Sequence, residues 1–219
     1  MAGTVVHMAF AGLLAAALLG AAYDRRAVAV VVGVTALADL DSFIALVSPG
    51  SHRAVLHNFV LPAAAAVLLW ADTSLRGDSL VRGRYGHYGV RVAWVAIVAY
   101  AVAAVGLDIV RGGVNPFYPL VDQFYVLDGK IELSDQRGVI QTFVEFQSES
   151  GGSVPAPQGL GSTADVSFST GVDPDPSGTK ADPERIFPVV RAGWELLVLV
   201  VGTVVTLARF RLPYGLREE

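Results

Sequence analysis

Five stretches of this chain are long and apolar enough to cross a bilayer: Val5–Ala22, Ala27–Val47, Ala54–Ala71, Gly89–Val110 and Phe187–Phe210. A spanning helix needs about 20 predominantly apolar residues, with a range of roughly 17–25. A soluble domain of 219 residues can bury a large core without runs of this length. Composition agrees: 53% of the residues are hydrophobic and 16% are charged, against about 25% charged in ordinary globular chains. The pattern predicts an all-α, polytopic membrane protein with about five transmembrane helices. The first run could also be a signal peptide ending near "LLGAAYD", although it lacks the basic leading region such a peptide wants.

Arginines set the expected orientation. Arg25 and Arg26 lie between the first and second runs, Arg76, Arg82 and Arg84 between the third and fourth, and Arg209, Arg211 and Arg217 after the fifth. Five spans would put these regions on one side, and arginine excess marks that side as cytoplasmic. The expectation is a multi-pass inner or plasma membrane protein, N-terminus outside and C-terminus cytoplasmic. Three regions follow: a four-helix membrane domain over 1–110, a long extracytoplasmic loop over 111–186, and a last helix with its tail over 187–219. The loop carries eleven acidic and five basic residues. In it, "FYVLDGKIEL" places Asp-Gly between alternating apolar positions, which predicts a small β-hairpin, and "GVIQTFVEF" offers another strand. From Ser148 to Arg185 the composition is Gly, Ser, Pro and Asp, too polar to fold alone.

There is no cysteine, which excludes disulfides, thiolate metal sites and cysteine nucleophiles. A net charge of −4 argues against nucleic acid as a partner. Membrane lipid is the expected surrounding.

Within the apolar runs a few ionisable residues stand out. "VGVTALADLDSFIALV" carries Asp39 and Asp41, and carboxylates in hydrocarbon are costly enough to have a partner and a job. His7 starts the first run, His52, Arg53 and His57 lead into the third in "SHRAVLHNF", and Asp108 ends the fourth in "VGLDIVRGG". Under the arginine-derived orientation all of them fall toward the same membrane face, although none was used to set it. Imidazole and carboxylate are ligands for zinc or a similar divalent ion, and a cation would offset the carboxylate charge. The expected metal ligands are His7, Asp39, His57 and Asp108. Asp39 and Asp41 diverge by about 200° on an α-helix, so both serve one site only if the helix unwinds or if one acts behind the other.

Plainer readings stand beside this one. His7 could be an interfacial residue, Asp39 and Asp41 a helix cap, and Asp108 half of a boundary ion pair with Arg111. His52 and Arg53 could be solvated or contact lipid phosphate. Glu195 could complete the site or pair with Arg191, and His87 falls on the opposite face.

In this order, an early His before "AGLLAAALLG", then "ADLDS", "HRAVLHN" and "GLDIVRGGVNPFYPL" resemble the YdjM-like family of inner-membrane metal-dependent hydrolases. The resemblance covers roughly residues 5–125. Family members show P-D-x-D, H-R-x-x-T-H-S and H-x-x-x-D elements, the last followed by a Gly and a Tyr-Pro. His7 matches the N-terminal His, and Asp39 and Asp41 match the paired acids with Ala38 in place of proline. His52, Arg53 and His57 match the second element, with Leu56 and Asn58 replacing Thr and Ser. Asp108 matches the third acid, but Ala104 stands where the family places a histidine one turn earlier.

The resemblance implies a metal-dependent hydrolase acting near the outer membrane surface. The depth of the site suggests a lipid or phosphoester substrate. In that reading Asp41 or His52 acts as general base and Arg53 meets a phosphate. The alternatives are a non-catalytic membrane protein keeping a structural metal or a His/Asp cluster, and a small ion or proton transporter. The apolar inner halves of the runs count against transport.

Overall fold

The computed structural model describes residues 3–143, 145–146, 155–156 and 158–212. Helix α1 (Thr4–Leu18) is built from strong helix formers and ends where Gly20 turns to a φ of 57°. Helix α2 (Arg25–Ala36) starts at Asp24, whose carboxylate accepts the Ala27 amide at 2.8 Å, a side-chain cap for an otherwise orphaned donor. The chain then tightens into a 3₁₀ turn (Leu37–Leu40) and one turn of α-helix, α3 (Asp41–Ile44). Helix α4 (Val60–Ser74) is started by Asn58, which accepts the Leu61 amide while donating to the Ala54 and Val55 carbonyls. Helix α5 (Leu80–Ala99) widens into a π turn (Tyr100–Gly106) before α6 (Leu107–Arg111). Helix α7 is Gly193–Arg209.

Helices α1, α4 and α7 run one way, and α2 and α5 the other. Gly12 and Gly202 let α1 and α7 meet backbone to side chain: a Cβ on Gly202 would collide with the Ala9 carbonyl, and one on Gly12 with Thr206. Such close approach through small residues is a packing mode of membrane helices. Ala11 and Ala15 of α1 with Leu19 just after it, Ala27 and Val31 of α2, and Val95, Ala96 and Ala99 of α5 form the buried core. At one end of the bundle Arg91 donates to the Leu18 carbonyl and Tyr88 to Asp24. The buried polar residues gather at the other.

The five-span, all-α expectation is overturned. Among the described residues two helical stretches are long and apolar enough to cross a membrane, Arg25–Ile44 (20 residues) and Leu80–Arg111 (32 residues). Helices α1 and α4 are 15 residues each and α7 is 17, so α1 and α4 span about 22 Å at 1.5 Å per residue. They are shorter than the apolar runs because local chemistry interrupts those runs. Gly20–Ala22 turns as 3₁₀ helix, and residues 54–59 are held as loop by Asn58 and by the backbone bonds around Arg53.

The segment over 111–186 adds small antiparallel sheets. Strand β1 (Phe124–Val126) pairs with β6 (Gln158–Gly161), β2 (Ile131–Ser134) with β3 (Gly138–Gln141), and β4 (Glu145–Phe146) with β5 (Pro155–Ala156). The hairpin therefore turns at Asp135–Arg137, with Gly138 at a φ of 71°, not at Asp128-Gly129. Beyond Ser162 the segment folds back on its own start: Thr163 bonds Asp122 through its amide and hydroxyl. Arg217 and residues 147–154 lie outside the described residues.

Candidate metal centre

The tightening after α2 decides how the two aspartates share work. Asp39 sits in the 3₁₀ turn and Asp41 opens α3, so their side chains reach different layers of one cluster. Asp41 is fully buried and lies behind the histidines. Its Oδ1 is 2.6 Å from His52 Nδ1, and its Oδ2 is 2.9 Å from His57 Nδ1 and accepts the Arg53 amide at 2.9 Å. With Nδ1–H given to Asp41, the Nε2 atoms of both rings carry lone pairs, and both are buried without a hydrogen-bond partner.

In front of His57 lie Asp39 and Asp108. His57 Nε2 is 3.4 Å from Asp39 Oδ1 and 3.7 Å from Asp108 Oδ2. His7, from α1, is 3.5 Å from Asp39 through Nδ1 and 3.4 Å from Asp108 through Nε2. Both His7 nitrogens and both Asp39 oxygens are buried without a hydrogen bond. These gaps are longer than the 2.7–3.2 Å of ordinary hydrogen bonds. The gaps of 3.4–3.5 Å lie close to the spacing of about 3.3–3.4 Å between ligands held at about 2.0–2.1 Å in a tetrahedral site; the 3.7 Å from His57 to Asp108 is longer. His7, Asp39 and His57 form a group able to hold a metal ion, with one donor atom each, all within 4.8 Å. His7 addresses Asp39 and Asp108 through different nitrogens, so a single ion takes only one of them. Asp108 stands beside this group, ion-paired at 3.1 Å with Arg53 Nη2.

Charge fits as well. Asp39, Asp41 and Asp108 bring three negative charges and Arg53 one positive, leaving two negative with neutral imidazoles. One divalent cation, or a proton on each of His7 and His57, cancels that excess in surroundings where net charge is costly. Burial opposes a proton on His57, but Asp41, Asp39 and Asp108 outweigh it and push its pKa up to about 10. A cation and a proton therefore compete for Nε2.

Arg53 is neither solvated nor at the surface; it is 1% exposed. Its φ of 64° is left-handed, a conformation costing a side-chain-bearing residue on the order of 1–3 kcal/mol. The surroundings hold it there from every side. Its amide goes to Asp41, its carbonyl accepts the Asn115 amide at 2.8 Å, and Nη1 donates to the Gly113 carbonyl at 3.1 Å. Gly112 leaves room for the guanidinium, since a Cβ there would lie 2.9 Å from Nη1.

Other residues singled out in the sequence fall elsewhere, and one neighbour of the site is not marked by any motif. Glu195 bonds Arg111 Nε at 2.9 Å and the Arg191 amide at 2.6 Å, apart from the cluster. His87 lines a cavity with Leu19 and Arg91 at the opposite end. Ala104 is buried within the π turn, where the usual one-turn spacing to Asp108 does not apply. The unmarked neighbour is Phe168: its ring lies 4.8 Å from the Arg53 guanidinium, with centroids 6.3 Å from His52 and 5.5 Å from Phe124. A lone aromatic in the polar "ADVSFSTGVD" is its only signal. No protein-family model, curated protein or solved structure matches this chain.

Proposed function

We propose that this protein is a membrane-embedded, metal-dependent hydrolase whose site lies near the outer surface of an inner or plasma membrane. The observation that carries the reading is the pairing of a compact His7–Asp39–His57 donor group with a second layer in which Asp41 fixes the histidine behind it. Metal-binding histidines are typically oriented by such a carboxylate. A zinc-like ion bound there would supply Lewis acidity for activating water.

The chain's own residues supply the rest. Asp41 sets the tautomers of His57 and His52. His52 Nε2, buried and uncommitted, is available as a general base. Arg53 secures Asp108. Asp39, with 12% of its side chain exposed, marks the approach for an amphiphilic ester or phosphoester. The likeness of "ADLDS", "HRAVLHN" and "NPFYPL" to the YdjM-like family supports the same chemistry.

Two apolar stretches of spanning length and exposed apolar faces on α4 and α7, including Leu68, Trp70, Leu197 and Leu207, support the membrane setting. Arg25, Arg26, Arg82, Arg84 and Arg209 at the far end of the bundle favour that end as cytoplasmic. The chain has no cysteine, so Ser162→Cys and Gly77→Cys can be labelled separately with an impermeant thiol reagent. Ser162→Cys alone should react in intact cells, and the reverse pattern would put the site inside.

The enzymatic test is metal content and turnover on a panel of amphiphilic carboxyl and phosphate esters, for wild type and His52→Gln. Stoichiometric metal with turnover lost in His52→Gln is expected. Metal without turnover on any ester would favour a structural ion, the reading suggested by how little of the cluster reaches the surface. Absence of metal would remove both.

A further inference from the structure

We propose that the surface between α2 and α7 binds an anionic phospholipid, with the acyl chain in an apolar groove and the phosphate held by Arg25 and Arg211. The proposal rests on the membrane setting above but not on the metal or the reaction. Helices α2 and α7 flank α1 without packing closely on each other, and the space between them is a cavity of about 1030 Å³. A second cavity of about 300 Å³, reaching toward Met8 and Leu199, shares Val32 and Leu207 with the first. The two adjoin at Val32 and Leu207 on the face between α2 and α7. From Leu199 to Arg209 the lining runs about 15 Å along α7 at 1.5 Å per residue, with Arg211 just past the helix end, against a leaflet hydrocarbon depth of about 15 Å.

The groove is polarised. Along its length the walls are mostly apolar, with Thr203 and Thr206 among them, and at one mouth stand Arg25 and Arg211. Among the described residues no carboxylate lies within ion-pair distance of either. Arg209 differs, stacking over the Tyr23 ring at 5.6 Å. Two guanidiniums without a carboxylate partner among the described residues, at the membrane-interface end of an apolar channel, match a phosphate on an acyl tail. A second protein copy would present no such single charge at one end.

The experiment is native mass spectrometry of the full chain in detergent, titrated with phosphatidylglycerol or with phosphatidylcholine of the same acyl chains. Phosphatidylglycerol should bind at least tenfold more tightly. The Arg25→Gln/Arg211→Gln variant alters exposed residues and should weaken phosphatidylglycerol binding on the order of 25-fold, at about fivefold per arginine, with phosphatidylcholine little changed. Ala29→Trp should weaken both lipids by filling the groove. Equal binding of the two lipids, or an unaffected double variant, would overturn the proposal. So would glycerol phosphate binding as tightly as the lipid, or a stable dimer lost in Ala29→Trp. Labelling of Ser162→Cys and Gly77→Cys tests the membrane setting independently, so the two failures are distinguishable.

Discussion

Asp41 holds His57 from behind: its Oδ2 lies 2.9 Å from Nδ1, on the opposite side of the ring from Asp39 and Asp108. The contact fixes which nitrogen carries the proton and leaves Nε2 directed into the space between α1, the 3₁₀ turn and α6. Removing His57 and removing its support should therefore differ in degree. His57→Ala should abolish stoichiometric metal binding. Asp41→Asn should keep binding but weaken it about 10- to 100-fold, as loss of an orienting partner does. Competition with a zinc chelator measures both. Equal retention in the two variants would exclude His57 as a ligand.

Proton competition gives a pH signature. His57 has a pKa near 10 beside its three carboxylates, against 6.5 for a free histidine. A cation must displace that proton, and any proton on His7, so affinity should rise with pH below 10, about tenfold per unit for each proton released. In chelator the sign for stability is opposite. The raised pKa contributes stability that is complete below about 6.5 and drains away as pH climbs through 10. Melting temperature across pH 6–9, with and without zinc, reads both. Parallel profiles would mean that the ion does not bind at His57.

Arg53 joins strain to charge pairing. Removing its side chain leaves Asp108 buried without the guanidinium, and breaking a buried pair from one side costs about 3–5 kcal/mol. Arg53→Ala should fall in that range by denaturant unfolding in detergent. Arg53→Gln with Asp108→Asn should recover much of the loss, because no lone charge remains. A double variant no better than the single would show that the guanidinium's other contacts, to the Gly113 carbonyl and the Phe168 ring, outweigh the ion pair.

The contrast between legible and illegible features has a physical cause. His7, Asp39, His57 and Asp108 were visible because a charged or titratable group in an apolar run is expensive, and the expense is local to each residue. The expectation that they share one face rested on a five-span topology that does not hold, and it is the fold that brings them together. The five-span architecture misread the chain because hydropathy counts residues and is blind to loop geometry. Asn58 and the left-handed Arg53 keep residues 54–59 out of α4, and Gly20 ends α1, although those positions are apolar enough to continue. The Asp128-Gly129 hairpin gave way to pairing of β1 with the distant β6, since a turn motif cannot compete with long-range contacts. Phe168 was hidden because its partners, Arg53 and His52, are more than 100 positions away.

Phe168 packs beside the cluster, against Arg53 and His52. Its ring faces the Arg53 guanidinium and the edge of His52, and its segment is tied down by Thr163 to Asp122. Phe168→Ala should cost roughly 1–3 kcal/mol from one cation–π and two aromatic contacts. Its effect on the metal should be kinetic, because no donor atom belongs to Phe168. Exchange of bound zinc for cadmium, followed by stopped flow with a metal indicator, should speed up at least severalfold, with equilibrium affinity changed much less than in Asp41→Asn. An affinity loss as large as that of Asp41→Asn would mean that Phe168 shapes the ligand geometry. No change in either quantity would mean that the ion enters from another side, past Asp39.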